Sequence, residues 1–209
     1  MSSPTPPDFG QHFAILNLDW MSILINAVQD TTEGKSFIAN LTRWNNSIHE
    51  MDPRPLTIFS TLALSIGQPE LEAHKPFSDL IAPLGTFEMG SPEVQIDSRF
   101  AVDKKDVIVC KTRWSATMGN SLEQILRANK IDTVIISGLS LSGVVMSTVY
   151  RLFDLDFRVF VITDNVIELP VGQTAGFSKV ICEMLLPKMN LKAISLDEAL
   201  WALELAKTR

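Results

Sequence analysis

Five short apolar runs, Phe13 to Leu18, Leu56 to Ser60, Val107 to Cys110, Thr133 to Ser137 and Arg158 to Ile162, limit what this chain can fold into. None shows the strict alternation of a strand with one wet face, so each reads as a strand covered on both sides. A weaker sixth run spans Leu191 to Ile194. Between the runs the apolar spacing becomes helical. Ser36 to Glu50 places Phe37, Ile38, Leu41, Trp44 and Ile48 on one stripe, and Ser121 to Asn129 places Leu122, Ile125 and Leu126 on another. Gly143 to Phe153, Ala175 to Leu185 and Leu196 to Lys207 read as further helices. Strands that alternate with helices build parallel sheets through right-handed crossovers. The expected fold is therefore α/β: three-layer α/β/α around a doubly wound, mostly parallel six-stranded sheet.

With 209 residues, 46% of them hydrophobic, the chain fits one domain over residues 13–209. Residues 1–12, rich in Ser and Pro, are expected to form a flexible N-terminal arm. The balance of 18 basic against 24 acidic residues, a net charge of −6, argues against nucleic acid or an anionic membrane as partner. A small-molecule substrate is expected instead. Two cysteines, no cationic leader and no apolar stretch approaching 18 residues suggest a reduced, cytoplasmic protein. One segment breaks the strand–helix rhythm. From Leu62 to Lys105 the chain is punctuated by Pro69, Pro76, Pro83 and Pro92 and by Gly67, Gly85 and Gly90. It reads as an excursion over the carboxyl edge of the sheet, where ligands bind in such folds.

Three strand ends hold the candidate chemistry. Asp19 closes the first run and is followed by Trp20 and Met21, a place where desolvation raises a carboxyl pKa and suits it to proton transfer; a turn or cap role is the alternative. Lys111 closes the third, where it can hold an anion or act on a neighbouring acid, or remain a solvated strand-end cation. Arg113 lies two residues on and shares its face. After the fourth run, Gly138 to Val144 forms a strand-to-helix turn whose backbone N–H groups, from Ser140 through Gly143 and Val144, can bind an anion. Helix capping by Ser142 is the plainer account of its hydroxyl. Trp20, Phe87, Trp114 and Met118 would line a hydrophobic pocket or belong to the core. His12, His49 and His74 lack the spacing of metal ligands, and no glycine-rich phosphate loop follows the first strand, so neither metal nor cofactor is expected. Alternation turns Cys110 away from Lys111, and both Cys110 and Cys182 read as buried, inert thiols.

Taken together these segments resemble the isochorismatase-like, or cysteine hydrolase, superfamily from about Phe13 to Leu200. Asp19 followed by Trp20-Met21 is similar to that family's first-strand signature. The run Lys111-Thr112-Arg113-Trp114-Ser115-Ala116 is similar to its second, and Gly138 to Thr148 to its third. The resemblance places a nucleophilic cysteine where this chain has Val144, and the metal-binding Asp-x-His of nicotinamidases is absent after the second strand. Thioester chemistry is thereby removed. What the resemblance then implies is a cysteine-independent hydrolase in which Asp19 is the general acid in vinyl-ether-type cleavage of a small organic metabolite and Lys111 its electrostatic partner. Trp20, Arg113, Trp114, Ser140, Gly143 and Val144 would contact substrate. It also implies a non-proline cis peptide between Leu139 and Ser140 and a homodimer or higher homo-oligomer, with Val145, Met146 and Val149 as a contact face. A non-hydrolytic isomerase or cyclase of secondary metabolism, and an inactive ligand-binding or partner-binding relative, stand as alternatives.

Overall fold

The computed structural model describes residues 6–207. Strands β1 (Phe13–Leu18), β2 (Leu56–Leu62), β3 (Val107–Lys111), β4 (Thr133–Leu139), β5 (Arg158–Ile167) and β6 (Lys192–Ile194) form one sheet. Its order is β3-β2-β1-β4-β5-β6, and every neighbouring pair is parallel. The helices are α1 (Ser22–Val28), α2 (Thr32–His49), α3 (Pro76–Ile81), α4 (Leu122–Ala128), α5 (Met146–Phe153), α6 (Thr174–Val180), α7 (Leu186–Lys188) and α8 (Leu196–Ala206). Among the described residues no helix is long and apolar enough to cross a membrane.

Alternation along the strands divides the core into two layers. Ile15, Phe59, Ile135 and Phe160 meet α1, α2 and α8 on one face of the sheet. Ala14, Leu16, Val134, Ile136 and Val161 meet α4 and α5 on the other. The α2 stripe of Phe37, Leu41, Trp44 and Ile48 is buried as its spacing predicts, and Thr31 Oγ1 accepts from the Gly34 N–H at 2.9 Å to start the helix. At α8, Ser195 and Glu198 form a reciprocal capping box. Helices α1 and α3 have no clear sequence signal: each is a turn or two long, and α1 has no side-chain cap.

Two expectations about the sheet need correcting. Cys110 is exposed, as is Ile108, because β3 is an edge strand and only its Val109 face is covered by the core. Val145, Met146 and Val149, expected at a subunit contact, are buried against the sheet, while Tyr150 and Phe153 on the same helix stay exposed. The N-terminal arm is also anchored within its described part. Phe9 is 2% exposed, with its ring centroid 5.5 Å from that of Phe13 and 5.1 Å from that of Phe160. Residues 1–5 of that arm lie outside the described residues.

The strand order grows outward from β1 in one direction and from β4 in the other, so the winding reverses between them. In doubly wound sheets the crevice beyond the carboxyl ends of two such strands is the binding position. The excursion between β2 and β3 packs there. It contains α3 and a short 3-10 turn (Pro92–Val94); an isolated bridge ties its Ile96 to Met21, and another, Leu64–Glu88, closes the excursion on itself.

Candidate active site

Asp19 leaves β1 with φ at 59°, a left-handed conformation that Asp tolerates better than most residues. Its N–H still donates to the Ser60 carbonyl at 3.0 Å, so the turn stays attached to β2. Lys111 ends β3, two strands away. Two inter-strand spacings of about 4.8 Å separate those backbones, a gap that a lysine stem and a short aspartate span together. Lys111 Nζ lies 2.8 Å from Asp19 Oδ2, Ser60 Oγ donates to Asp19 Oδ1 at 2.8 Å, and Lys111 Nζ also donates to the Arg113 carbonyl at 3.0 Å. The residues are 4% and 1% exposed. Burial raises the Asp19 pKa; the Lys111 charge and the hydrogen bonds from Lys111 and Ser60 pull it back. A carboxyl in that balance is suited to exchange a proton beside a fixed cation.

The turn after β4 approaches the pair from the other side. The Leu139–Ser140 peptide is cis, and Leu141–Val145 forms one π-helical turn leading into α5. Part of its N–H cradle is already filled. Glu168, 2% exposed, accepts from the Ser142 N–H at 2.7 Å and from the Leu169 N–H at 2.9 Å. The protein's own carboxylate thus takes a position expected to be free for an anionic ligand. Glu168 went unrecognised in the sequence, although a signal existed: it follows β5 as Asp19 follows β1. Gly143 is required by close packing. A Cβ there would lie 2.6 Å from Ser140 Oγ and 3.2 Å from Trp114 Cε2, so glycine lets the Trp114 ring lie on the turn. The Trp114 loop is itself fixed: Asn120 Nδ2 donates to the Cys110 and Ala116 carbonyls at 3.0 and 2.8 Å, and the Ala116 N–H donates to Thr148 Oγ1 at 2.9 Å.

These elements enclose a cavity of about 60 Å³. Asp19, Lys111 and Ser140 supply its polar side chains, joined by Trp114 and Val144; Met21, Leu24, Leu62, Leu139 and Leu169 are apolar, and Ile81, Leu84 and Phe87 come from the excursion. Neither Cys110 nor Cys182 lines it. Burial pushes the Cys182 thiol up to about 11.

Three residues expected here are elsewhere. Trp20 is fully buried between Phe59 and Phe100, with ring centroids at 5.6 and 4.8 Å, because the left-handed turn at Asp19 sends the following side chain into the α1–α2 layer. Arg113 is turned outward: its guanidinium donates to the Thr112 and Glu70 carbonyls, both at 2.7 Å, and lies 5.1 Å from the Phe77 ring centroid. Met118 is half exposed, away from the cavity. Gly143 backs the cavity through its contact with Trp114 and does not line it. At the opposite end of the sheet, ligand atoms of His49, Asp103 and Asp106 lie within 4.8 Å of one another, a spacing that metal ligands share. Arg54 supplies the positive charge there, pairing with Asp103 and, at 3.0 Å, with Asp106, and holds the Asp103 carboxyl down at about 2.

The isochorismatase domain family matches residues 13–181. The uncharacterized isochorismatase family protein YwoC of Bacillus subtilis (strain 168) is 32% identical over 93 residues, 44% of this chain and 49% of that protein. N-carbamoylsarcosine amidase of an Arthrobacter species is 38% identical over 76 residues, 36% of this chain and 29% of that enzyme. The chain thus matches about half or less of the length of these curated relatives. A solved cysteine hydrolase from Pseudomonas syringae pv. phaseolicola 1448A superimposes with a TM-score of 0.81 at 14% identity, covering 99% of this chain and 100% of that one, which establishes a common fold. Signatures at the ends of β1, β3 and β4, a wholly parallel sheet and a family match over most of the sequence agree: this chain belongs to the isochorismatase family.

Proposed function

We propose that the protein is a cysteine-independent hydrolase that acts on a small organic metabolite by proton transfer from Asp19. The observation that supports this most directly is the buried Asp19–Lys111 contact at 2.8 Å inside a cavity that no cysteine lines. Asp19, ionised against Lys111 before substrate enters, takes up a proton as the substrate excludes water from the pair and delivers it to a substrate carbon, as in cleavage of a vinyl ether; Lys111 stabilises the carboxylate left behind. Water adds to the resulting cation and returns a proton to Asp19; collapse of the adduct breaks the C–O bond. The sum consumes one water and regenerates the acid. Val144, at the position of the family's nucleophile by resemblance, contributes an apolar wall.

The test is a turnover screen with enol ethers and amides comparing wild type with Asp19→Asn. Loss of a general acid lowers the rate by about a hundredfold or more, and undiminished turnover in the variant would sink the assignment. The apolar surround of the pair also favours a second reading, an isomerase or cyclase that excludes water. Turnover in ¹⁸O-labelled water separates the two, since only hydrolysis places solvent oxygen in the product.

A further inference from the structure

The cavity is lined by one anion, Asp19, and one cation, Lys111, and at 2.8 Å they cancel. We propose that its guest is an uncharged, mostly apolar molecule presenting one polar acceptor, and that carboxylates are excluded. This inference rests on the reading that chemistry takes place in this cavity; it adds the class of substrate.

Three observations converge on it. The arginines that could have held a carboxylate are committed elsewhere. Arg113 is spent on two backbone carbonyls and the Phe77 ring, and Arg99 on Gln29 at 2.6 Å, Asn26 at 3.2 Å and Asp97 at 3.4 Å. The turn after β4, the other natural anion site, already holds the Glu168 carboxylate on the Ser142 N–H, and its negative charge opposes a second anion on the same turn. Finally, the Lys111 ammonium has three N–H donors; Asp19 and the Arg113 carbonyl account for two, which leaves one for a single acceptor on the guest.

Desolvation then discriminates by charge. A carboxylate entering while Asp19 is ionised gives up its hydration and meets only a cation already paired at 2.8 Å. An apolar guest loses little water. The present space of about 60 Å³ holds only a few waters, so a larger guest enters by displacing Ile81 and Leu84 of the excursion. That exchange replaces apolar contacts with apolar contacts. Leu84, 38% exposed, stands at the mouth.

The experiment uses isosteric pairs on the full chain: propionamide, isobutyramide and benzamide against propionate, isobutyrate and benzoate. Binding is followed through the Trp114 indole N–H resonance, assigned with Trp114→Phe. Each amide is expected to bind about tenfold or more tightly than its carboxylate. In Leu84→Arg, whose new cation can reach solvent at the mouth, the preference is expected to narrow or reverse. Equal or tighter binding of the carboxylates to the wild type overturns the proposal, and so does the absence of binding by every amide at millimolar concentration. Its fate is separable from that of the proton-transfer reading. Amide selectivity with full turnover in Asp19→Asn would retain the substrate class and discard the general acid; carboxylate selectivity with a dead Asp19→Asn would do the reverse.

Discussion

Replacing Lys111 with methionine keeps most of the unbranched side chain, one atom shorter, and removes the charge beside Asp19. At 2.8 Å the gross attraction is about 6 kcal/mol for an effective dielectric near 20. Desolvation of two groups only 4% and 1% exposed offsets part of it, and removing one partner of such a pair typically costs about 3–5 kcal/mol. In Lys111→Met only burial and the Ser60 hydrogen bond remain to act on Asp19, so its pKa climbs further above the ordinary 3.8. A folded-state pKa above the unfolded one means that the native state holds the proton longer. Stability is therefore lost as pH rises between the two values, by up to about 1.4 kcal/mol per pH unit. Urea unfolding followed by circular dichroism should accordingly show a deficit of about 3–5 kcal/mol near pH 8 that shrinks as the pH is lowered toward pH 5 and protonation of Asp19 becomes easier. Adding Asp19→Asn to Lys111→Met removes the stranded carboxylate and should recover about 2 kcal/mol or more at the higher pH. An equal deficit at both pH values, or no recovery in the double variant, would refute the account of Asp19 as a burial-raised acid held by Lys111.

Glu168→Ala leaves the Ser142 and Leu169 N–H groups without their acceptor, at about 1–3 kcal/mol each, whereas Glu168→Gln keeps one acceptor oxygen and should cost less; urea unfolding and hydrogen exchange over residues 138–147 measure both, and equal effects of the two variants would argue against the cradle. Arg113→Ala releases the Glu70 carbonyl and the Phe77 ring, so amide exchange over residues 65–90 should quicken while global stability falls by only about 1 kcal/mol; unchanged exchange there would show that Arg113 does not hold the excursion down.

The sheet was legible because its central strands are covered on both faces and so appear as unbroken apolar runs. Asp19 and Lys111 were legible for a related reason: a charged residue ending such a run stands at the carboxyl edge, whatever the order of the strands. The misreadings arise where direction depends on partners far along the chain. Arg113 is diverted by a carbonyl 43 residues earlier, and Trp20 by the dihedral angle of the residue before it. Cys110 does alternate with Lys111, but its exposure depends on β3 being at the edge, which follows from strand order rather than local pattern. The cavity cover came from α3 and its flanks, a segment whose prolines and glycines hide a helix only six residues long.

The position of β3 has a consequence for how the protein would fail. Asp19 is rooted in the interior of the sheet, between β2 and β4, but Lys111 belongs to a five-residue border strand paired on one side only. That border is secured at its start by the Arg54 clip to Asp103 and Asp106 and at its end by Asn120 on the Cys110 carbonyl. Border strands are among the first elements to fray under heat or denaturant. Peeling β3 away would remove the ammonium while the other five strands stayed joined, so the two halves of the Asp19–Lys111 ion pair have unequal lifetimes. The proposed chemistry would be as durable as the rim of the sheet, not as its centre.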